Sequence, residues 1–386
     1  MSYLRRASTR SLIIVIVAVC ALAAGGAAIA TAAAGGGSTP PPKPLDQAIS
    51  DALSANPPAG VTADVQFTNN LFPSGALLGQ AGSALMTGAS GRLWLTNDGH
   101  GRIELQSDAG DVQIIWDPQT ISVYDASSNT VYRANLPQQT SSSGTDAHTP
   151  PTLAEIDSFL TNLGVDWALS DAQPTNVGGQ PAYNVSISPK HDGGLLGSLQ
   201  LAWDASQGTP LQVGVYAQGD NTPVLQLGLS NVNYGAVAPA EVNIAPPAGA
   251  KVVDLGGGTA DTGSSTPAVT GLAAVQAAAP FHVVAPDTLV GLPQKDVRLV
   301  GGDTVVALYG QGLGGIALVE TQADASHGGS NGVLSNLPTV SLDGITAHEL
   351  STQLGTVLEW EAGGVRYVLA GSLPAAAAEA AARAVK

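Results

Sequence analysis

The residue spacing nearest to a known chemistry is Gly310-Gln-Gly312-Leu-Gly-Gly315, which carries the glycine pattern of a dinucleotide-binding turn. That chemistry needs the turn to open a helix whose N-terminal amides hold the pyrophosphate. Here the run lies between Thr304-Val-Val-Ala-Leu-Tyr and Ile316-Ala-Leu-Val-Glu, two β-type segments, so it reads as a hairpin turn. His348-Glu349 opens a zinc-protease pattern, but Thr352 stands where the second histidine is required. The other histidines, at 100, 148, 191, 282 and 327, show no metal-ligand spacing and read as solvated surface residues. The expectation is a protein with no catalytic residues, no metal and no cofactor.

Binding chemistry remains. Trp94, Ile103, Leu105, Ile115 and Tyr124 fall in consecutive short strands, where one face of each strand can line an apolar cavity. The alternative is that the same residues pack as a dry core beneath helices. Arg102 sits among them, either inside the cavity, where a buried guanidinium must be paired, or on the wet outer face.

The elements around these residues are legible. Leu45, Ala48, Ile49, Ala52 and Leu53 recur at helical spacing. Strands follow from Val61 to Phe67, then Gly91-Arg-Leu-Trp-Leu, Gly101-Arg-Ile-Glu-Leu, Asp111-Val-Gln-Ile-Ile-Trp-Asp, Ile121-Ser-Val-Tyr-Asp and Thr130-Val-Tyr-Arg, a β-meander bounded by turn residues. Thr152 and Glu155 announce a capping box, Leu153, Ile156, Leu160 and Leu163 form the stripe of the helix it starts, and Gly164 ends that helix. Five further strands run from Trp167 to Ser230. Helix, strands, helix, strands is an α+β order.

Charge and termini narrow the partners. Asp and Glu outnumber Lys and Arg by 30 to 14, for a net charge of −16, which argues against nucleic acid. Arg5, Arg6 and Arg10 precede an apolar run from Leu12 to Ala34, with a small-x-small site at Ala30-Thr31-Ala32. Residues 1–34 therefore read as a signal peptide or an uncleaved membrane anchor, which puts the bulk of the chain outside the cytoplasm, secreted or held at the outer face of the membrane. Cys20, the only cysteine, lies inside that run after Val19, a poor context for lipidation, so the exported part can form no disulfide. Gly- and Pro-rich residues 35–44 read as a spacer, and 253–268 as a second, polar linker. Two domains follow, 45–252 and 269–386. In the second, a helix near 269–278 leads to strands at 296–300, 304–309, 315–320, 356–360 and 365–370, with a closing helix from Pro374.

Gly91-Arg-Leu-Trp with Gly101-Arg-Ile-Glu, Ile114-Ile-Trp-Asp with Val123-Tyr-Asp, Val177-Gly-Gly-Gln-Pro-Ala-Tyr-Asn-Val, Leu201-Ala-Trp-Asp with Thr209-Pro-Leu-Gln, and Ala245-Pro-Pro-Ala-Gly-Ala span nearly all of residues 45–252. In these pieces the first domain resembles the LolA-like superfamily of extracytoplasmic lipoprotein carriers and lipid-binding proteins, which includes the N-terminal domain of RseB/MucB-type regulators and mycobacterial lipid-binding lipoproteins. Leu308-Tyr309, Leu358-Glu-Trp360 and Gly364-Val-Arg-Tyr-Val-Leu resemble the smaller C-terminal domain of the RseB-type proteins.

The resemblance implies a curved, incompletely closed antiparallel β-barrel with helices plugging its concave face, followed by a smaller α+β domain. It implies an apolar cavity between sheet and helices, lined by Trp94, Ile103, Leu105, Ile115 and Tyr124 from the sheet and Ile156, Leu160 and Leu163 from the helix. Arg102 matches an arginine of the carriers that is held inside the cavity and hydrogen-bonds the helical lid. The partner would be an acyl chain, a lipid or a lipidated protein; the competing role is a sensor that docks on a membrane protein such as an anti-sigma factor. A structural envelope protein without a ligand is the third.

Overall fold

The computed structural model describes residues 37–71, 84–136, 151–190, 194–254, 269–311, 314–323 and 337–385. The expected export segment, residues 1–34, and residues 255–268 of the expected second linker lie outside them. Among the described residues no helix is long and apolar enough to cross a membrane.

The chain forms two open β-sheets with few helices. In the first, β1 (Gly60–Asn69), β2 (Ala89–Thr96), β3 (Gly101–Gln106), β4 (Val112–Trp116), β5 (Thr120–Asp125) and β6 (Thr130–Asn135) make the antiparallel meander that the turn residues predict. Then come β7 (Trp167–Leu169), β8 (Gln173–Val177), β9 (Gln180–Pro189), β10 (Leu196–Asp204), β11 (Pro210–Ala217) and β12 (Pro223–Tyr234), and β12 returns to pair with β1. The sheet does not close. Its far edge is β13 (Lys251–Asp254), which pairs parallel with β6, so the sheet is not wholly antiparallel.

Helices are placed differently from the expected plug. Helix α1 (Leu45–Ser54) buries Ala48, with Leu45, Ile49 and Ala52, against Tyr183, Val185 and Trp203 of β9 and β10. A one-turn helix α2 (Ala84–Thr87) packs near β1. Helix α3 (Leu153–Leu163) starts at the predicted capping box, with the Glu155 amide donating to Thr152 Oγ1 and the Thr152 amide to Glu155 Oε2. It rests on α1, not on the meander, and of its stripe only Ile156 is buried; Leu153 is exposed and Leu160 and Leu163 are half-buried. A further short helix, α4 (Pro239–Val242), packs on β2 and β3.

Residues 37–44, within the segment 35–44 read from composition as a spacer, lie against β8 and β9. Asn176 donates to the Ser38 carbonyl at 3.2 Å and the Tyr183 hydroxyl to the Pro41 carbonyl at 2.7 Å, while Lys43 pairs with Asp51 of α1. A proline-rich strand makes no internal hydrogen bonds, so its carbonyls are available to such donors.

Asp204 closes β10 with almost no solvent exposure. It accepts from the Tyr234 hydroxyl at 2.7 Å, from the Ser206 amide and hydroxyl, and from the Gln207 amide. Burial alone would raise its pKa, but these hydrogen bonds hold it below the usual carboxylate range. The Leu201-Ala-Trp-Asp204 motif thus ends on a residue that fixes the turn to β11.

The second sheet contains β14 (Val269–Thr270), β15 (Thr288–Leu289), β16 (Leu292–Val300), β17 (Thr304–Tyr309), β18 (Ile316–Gln322), β19 (Thr339–Leu342), β20 (Ile345–Thr352), β21 (Gly355–Ala362) and β22 (Val365–Gly371). Helices α5 (Leu272–Ala278) and α6 (Ala375–Arg383) cover its core. β17 and β18 pair with Tyr309 opposite Ile316, so the dinucleotide-like glycine run connects a hairpin, as expected. The hairpin β19–β20, which carries His348 and Glu349, was not read from the sequence, although Asp343-Gly344 at its turn, both at positive φ, is a strong hairpin signal. The domains touch where the Leu195 amide donates to Ser372 Oγ at 3.0 Å and Leu354 packs on the first core.

Candidate functional site

Strand register sorts the residues of the meander into two faces, because alternate side chains point to opposite sides. One cross-strand row is Ala63, Leu93, Ile103, Ile114 and Val123, with Leu105 and Val112 beside it. These are apolar and mostly buried; together with Phe67, Leu225 and Leu229 they belong to the first domain's core. The opposite face carries the row Thr62, Trp94, Arg102, Ile115, Ser122, and next to it Asp64, Arg92, Glu104, Gln113, Tyr124.

The expected single apolar lining is therefore split. Ile103 and Leu105 face the core, whereas Trp94, Arg102, Ile115 and Tyr124 face the other way. One residue of parity separates them: Trp94 lies opposite Arg102, and Leu93 opposite Ile103. Tyr124 spends its hydroxyl locally, donating to Asn129 at 3.2 Å. The helical candidates Ile156, Leu160 and Leu163 belong to α3 and meet α1 rather than these strands.

The two glycines of the repeated Gly-Arg motif are needed for space. A Cβ on Gly91 would stand 1.7 Å from the Glu104 carbonyl oxygen, and one on Gly101 would stand 2.1 Å from the Trp116 indole. β2, β3 and β4 can thus approach closely enough to bring Arg102 over Trp94.

Arg102 is 6% exposed. What buries it is the chain leaving β12: to reach β6 and form β13, residues 235–250 must cross the meander, and α4 lands on β2 and β3. Arg102 Nη1 donates to the Glu241 carbonyl at 2.6 Å, and Nη2 pairs with the Glu104 carboxylate. The guanidinium carbon lies 4.1 Å from the centre of the Trp94 ring, a cation–π contact. A desolvated charge persists only with such compensation. The resemblance implied a bond from this arginine to the helical lid; here it holds the crossing segment at α4, not α3.

Beside this clamp lies a cleft of about 600 Å³. Asp64, Gln66, Ser90, Arg92, Gln106 and Ser230 line it, with Trp94, Arg102 and Glu104 at the clamped end. Asp64 is held by Asn231 at 2.7 Å and lies 3.7 Å from the exposed Arg92 guanidinium. The cleft offers both charges, amide donors and acceptors, hydroxyls and one aromatic face. Of its polar residues only Arg102 was singled out from the sequence; the signal that could have found the others is the alternation of Asp64-x-Gln66, Ser90-x-Arg92-x-Trp94 and Arg102-x-Glu104-x-Gln106 along three neighbouring strands.

No protein-family model matches the sequence, and no curated protein does. Among solved structures, MucB in complex with MucA(peri) is similar at a TM-score of 0.42 and 15% identity, over 88% of this chain and 96% of that one. The MucA/MucB complex of Pseudomonas aeruginosa is similar at 0.41 and 15%, over 87% and 95%. A LolA-superfamily protein from Nitrosomonas europaea is similar at 0.22 and 10%, over 52% of this chain and 98% of that one. Likeness at this level concerns the outline of the fold and says nothing of which ligand or partner this chain takes.

Proposed function

We propose that the chain is a non-enzymatic, extracytoplasmic docking protein whose first domain holds an extended polypeptide segment of a partner in the cleft over β1–β3. The observation that carries this reading is the chemistry of the cleft. Its walls alternate donors, acceptors and both signs of charge, which match a peptide backbone and mixed side chains. An acyl chain there would desolvate Asp64, Arg92 and Glu104 without returning a hydrogen bond. The apolar residues expected to hold such a chain, Ile103 and Leu105, are instead buried in the core.

The carrier reading keeps one observation of its own. Helix α3 is shallowly seated, with Leu153 and Phe159 exposed and Ile156 its one buried residue, so it is a candidate lid over an apolar interior reached by its movement.

Two measurements on the full chain separate the readings. A photo-crosslinking residue at Gln66 or Ser90 should give a discrete protein adduct in the native envelope, lost on Arg92→Glu, while the same residue at exposed Ser128 in the β5–β6 turn should not. A fluorescent fatty acid at micromolar concentration should not be taken up. Uptake of the fatty acid that disappears when Ile156 is replaced by Asp, with no cleft adduct, would replace docking by carriage.

A further inference from the structure

Glu320 lies at the centre of the second domain's core face, in the cross-strand row Val305, Glu320, Tyr367, Trp360, Ala347. It is fully buried. Among the described residues no lysine, arginine or histidine pairs with it. Its Oε2 accepts one hydrogen bond, from the Val284 amide at 2.9 Å, and its Oε1 has no partner.

The Val284 amide belongs to residues 281–287, an irregular segment crossing the core between α5 and β15. Val283 and Ala285 point into the core, and Gln294 holds the segment further by donating to the Ala285 and Pro286 carbonyls. The groups facing Glu320 offer no compensation. Tyr309 of β17 and Tyr367 of β22 are phenols that burial and the nearby carboxylate push upward, Tyr309 to about 12. Asp287 adds negative charge on the Tyr309 side. Helix α5 carries no charged residue, its core residue being Val275, and α6 presents Ala378, Ala381 and Ala382, its Glu379 and Arg383 pairing with each other. His282, on the segment itself, is exposed.

We propose that Glu320 is a proton-operated latch: in its neutral form it lets residues 281–287 lie closed on the second domain's core, and on losing its proton it opens that segment and uncovers the apolar surface beneath. The inference is independent of the cleft in the first domain.

The sign follows from burial. An ionised carboxylate in an apolar core without a cation is costly, and desolvation pushes Glu320 from 4.5 up to about 7. The closed state therefore retains a proton that the open state releases. Its advantage is complete below pH 4.5, declines as pH rises, and levels off above about 7. Between pH 6 and pH 8 the open fraction of this segment should rise roughly tenfold if the opened carboxyl titrates normally.

Amide hydrogen exchange of Val284 in the full chain, corrected for intrinsic rate, reads the latch directly. Protection should fall roughly tenfold from pH 6 to pH 8, with residues 304–309 of β17 unaffected. Glu320→Gln should abolish that fall. Unchanged protection of Val284 in the natural chain, or the same fall in the Gln variant, overturns the proposal. Should the variant not fold, carboxyl-carbon NMR of the natural chain decides: titration near 7 supports the latch, and titration near 4.5 removes it.

Discussion

Asp204 and Glu320 are both carboxylates with almost no contact with water, one in each domain, and they are provided for in opposite ways. Asp204 accepts from Tyr234, Ser206 and Gln207 and is held ionised below the usual range. Glu320 has one amide donor and is held neutral to about 7. What separates them is donor count, not depth. Asp204 sits at a strand end, where a turn supplies free amides; Glu320 sits mid-strand, where the ladder has used the neighbouring amides already. The two domains consequently respond to pH with opposite sign. The first loses stability as pH falls from 3.8 through the depressed pKa of Asp204, and the second as pH rises from 4.5 to about 7.

The comparison breaks most readily at Asp204. Asp204→Ala leaves the Tyr234 hydroxyl and two amides without their acceptor and should cost the first domain about 3 kcal/mol. Calorimetry should show the transition of that domain alone moving down; an equal shift of the second would mean the domains do not respond separately. Glu320→Gln should act the other way, stabilising the second domain by up to about 3 kcal/mol at pH 8 and little at pH 4. A loss of stability at pH 8 would show that the carboxylate is needed as an acceptor for Val284.

The smallest effect serves as a control. Val290, at the tip of the β15–β16 hairpin, has φ +44°, a left-handed conformation unfavourable for a β-branched side chain. Val290→Asn should stabilise the second domain by about 1 kcal/mol, equally at pH 5 and pH 8. A pH-dependent gain there would undermine Glu320 as the source of the second domain's titration.

Most strands were legible because their signals are local. The meander's turn residues, the capping box at Thr152 and Glu155, and the strands at 304–309 and 365–371 follow from propensity and punctuation within a few residues. Of the elements missed, β8 and the β19–β20 hairpin pair locally, across Gly178-Gly179 and Asp343-Gly344, so their turns carry the signal; α4 and β13 are short and exist because distant strands receive them. The proline-rich residues 37–44 read only as part of a spacer for the same reason: Tyr183, which holds them, is more than 130 residues away.

The site divides along the same line. The resemblance implied that Arg102 bonds the helical lid; the structure instead gives it the Glu241 carbonyl of α4, in the crossing segment. Its identity was beyond local reading, since the crossing at 235–250 depends on β12 and β6 lying on opposite sides of the meander. The sequence alone determined the strands and turns of the meander and the net acidity of the chain. Only the tertiary structure decided which face of each strand is wet, because one residue of register exchanges the faces and register is set by partners across the sheet.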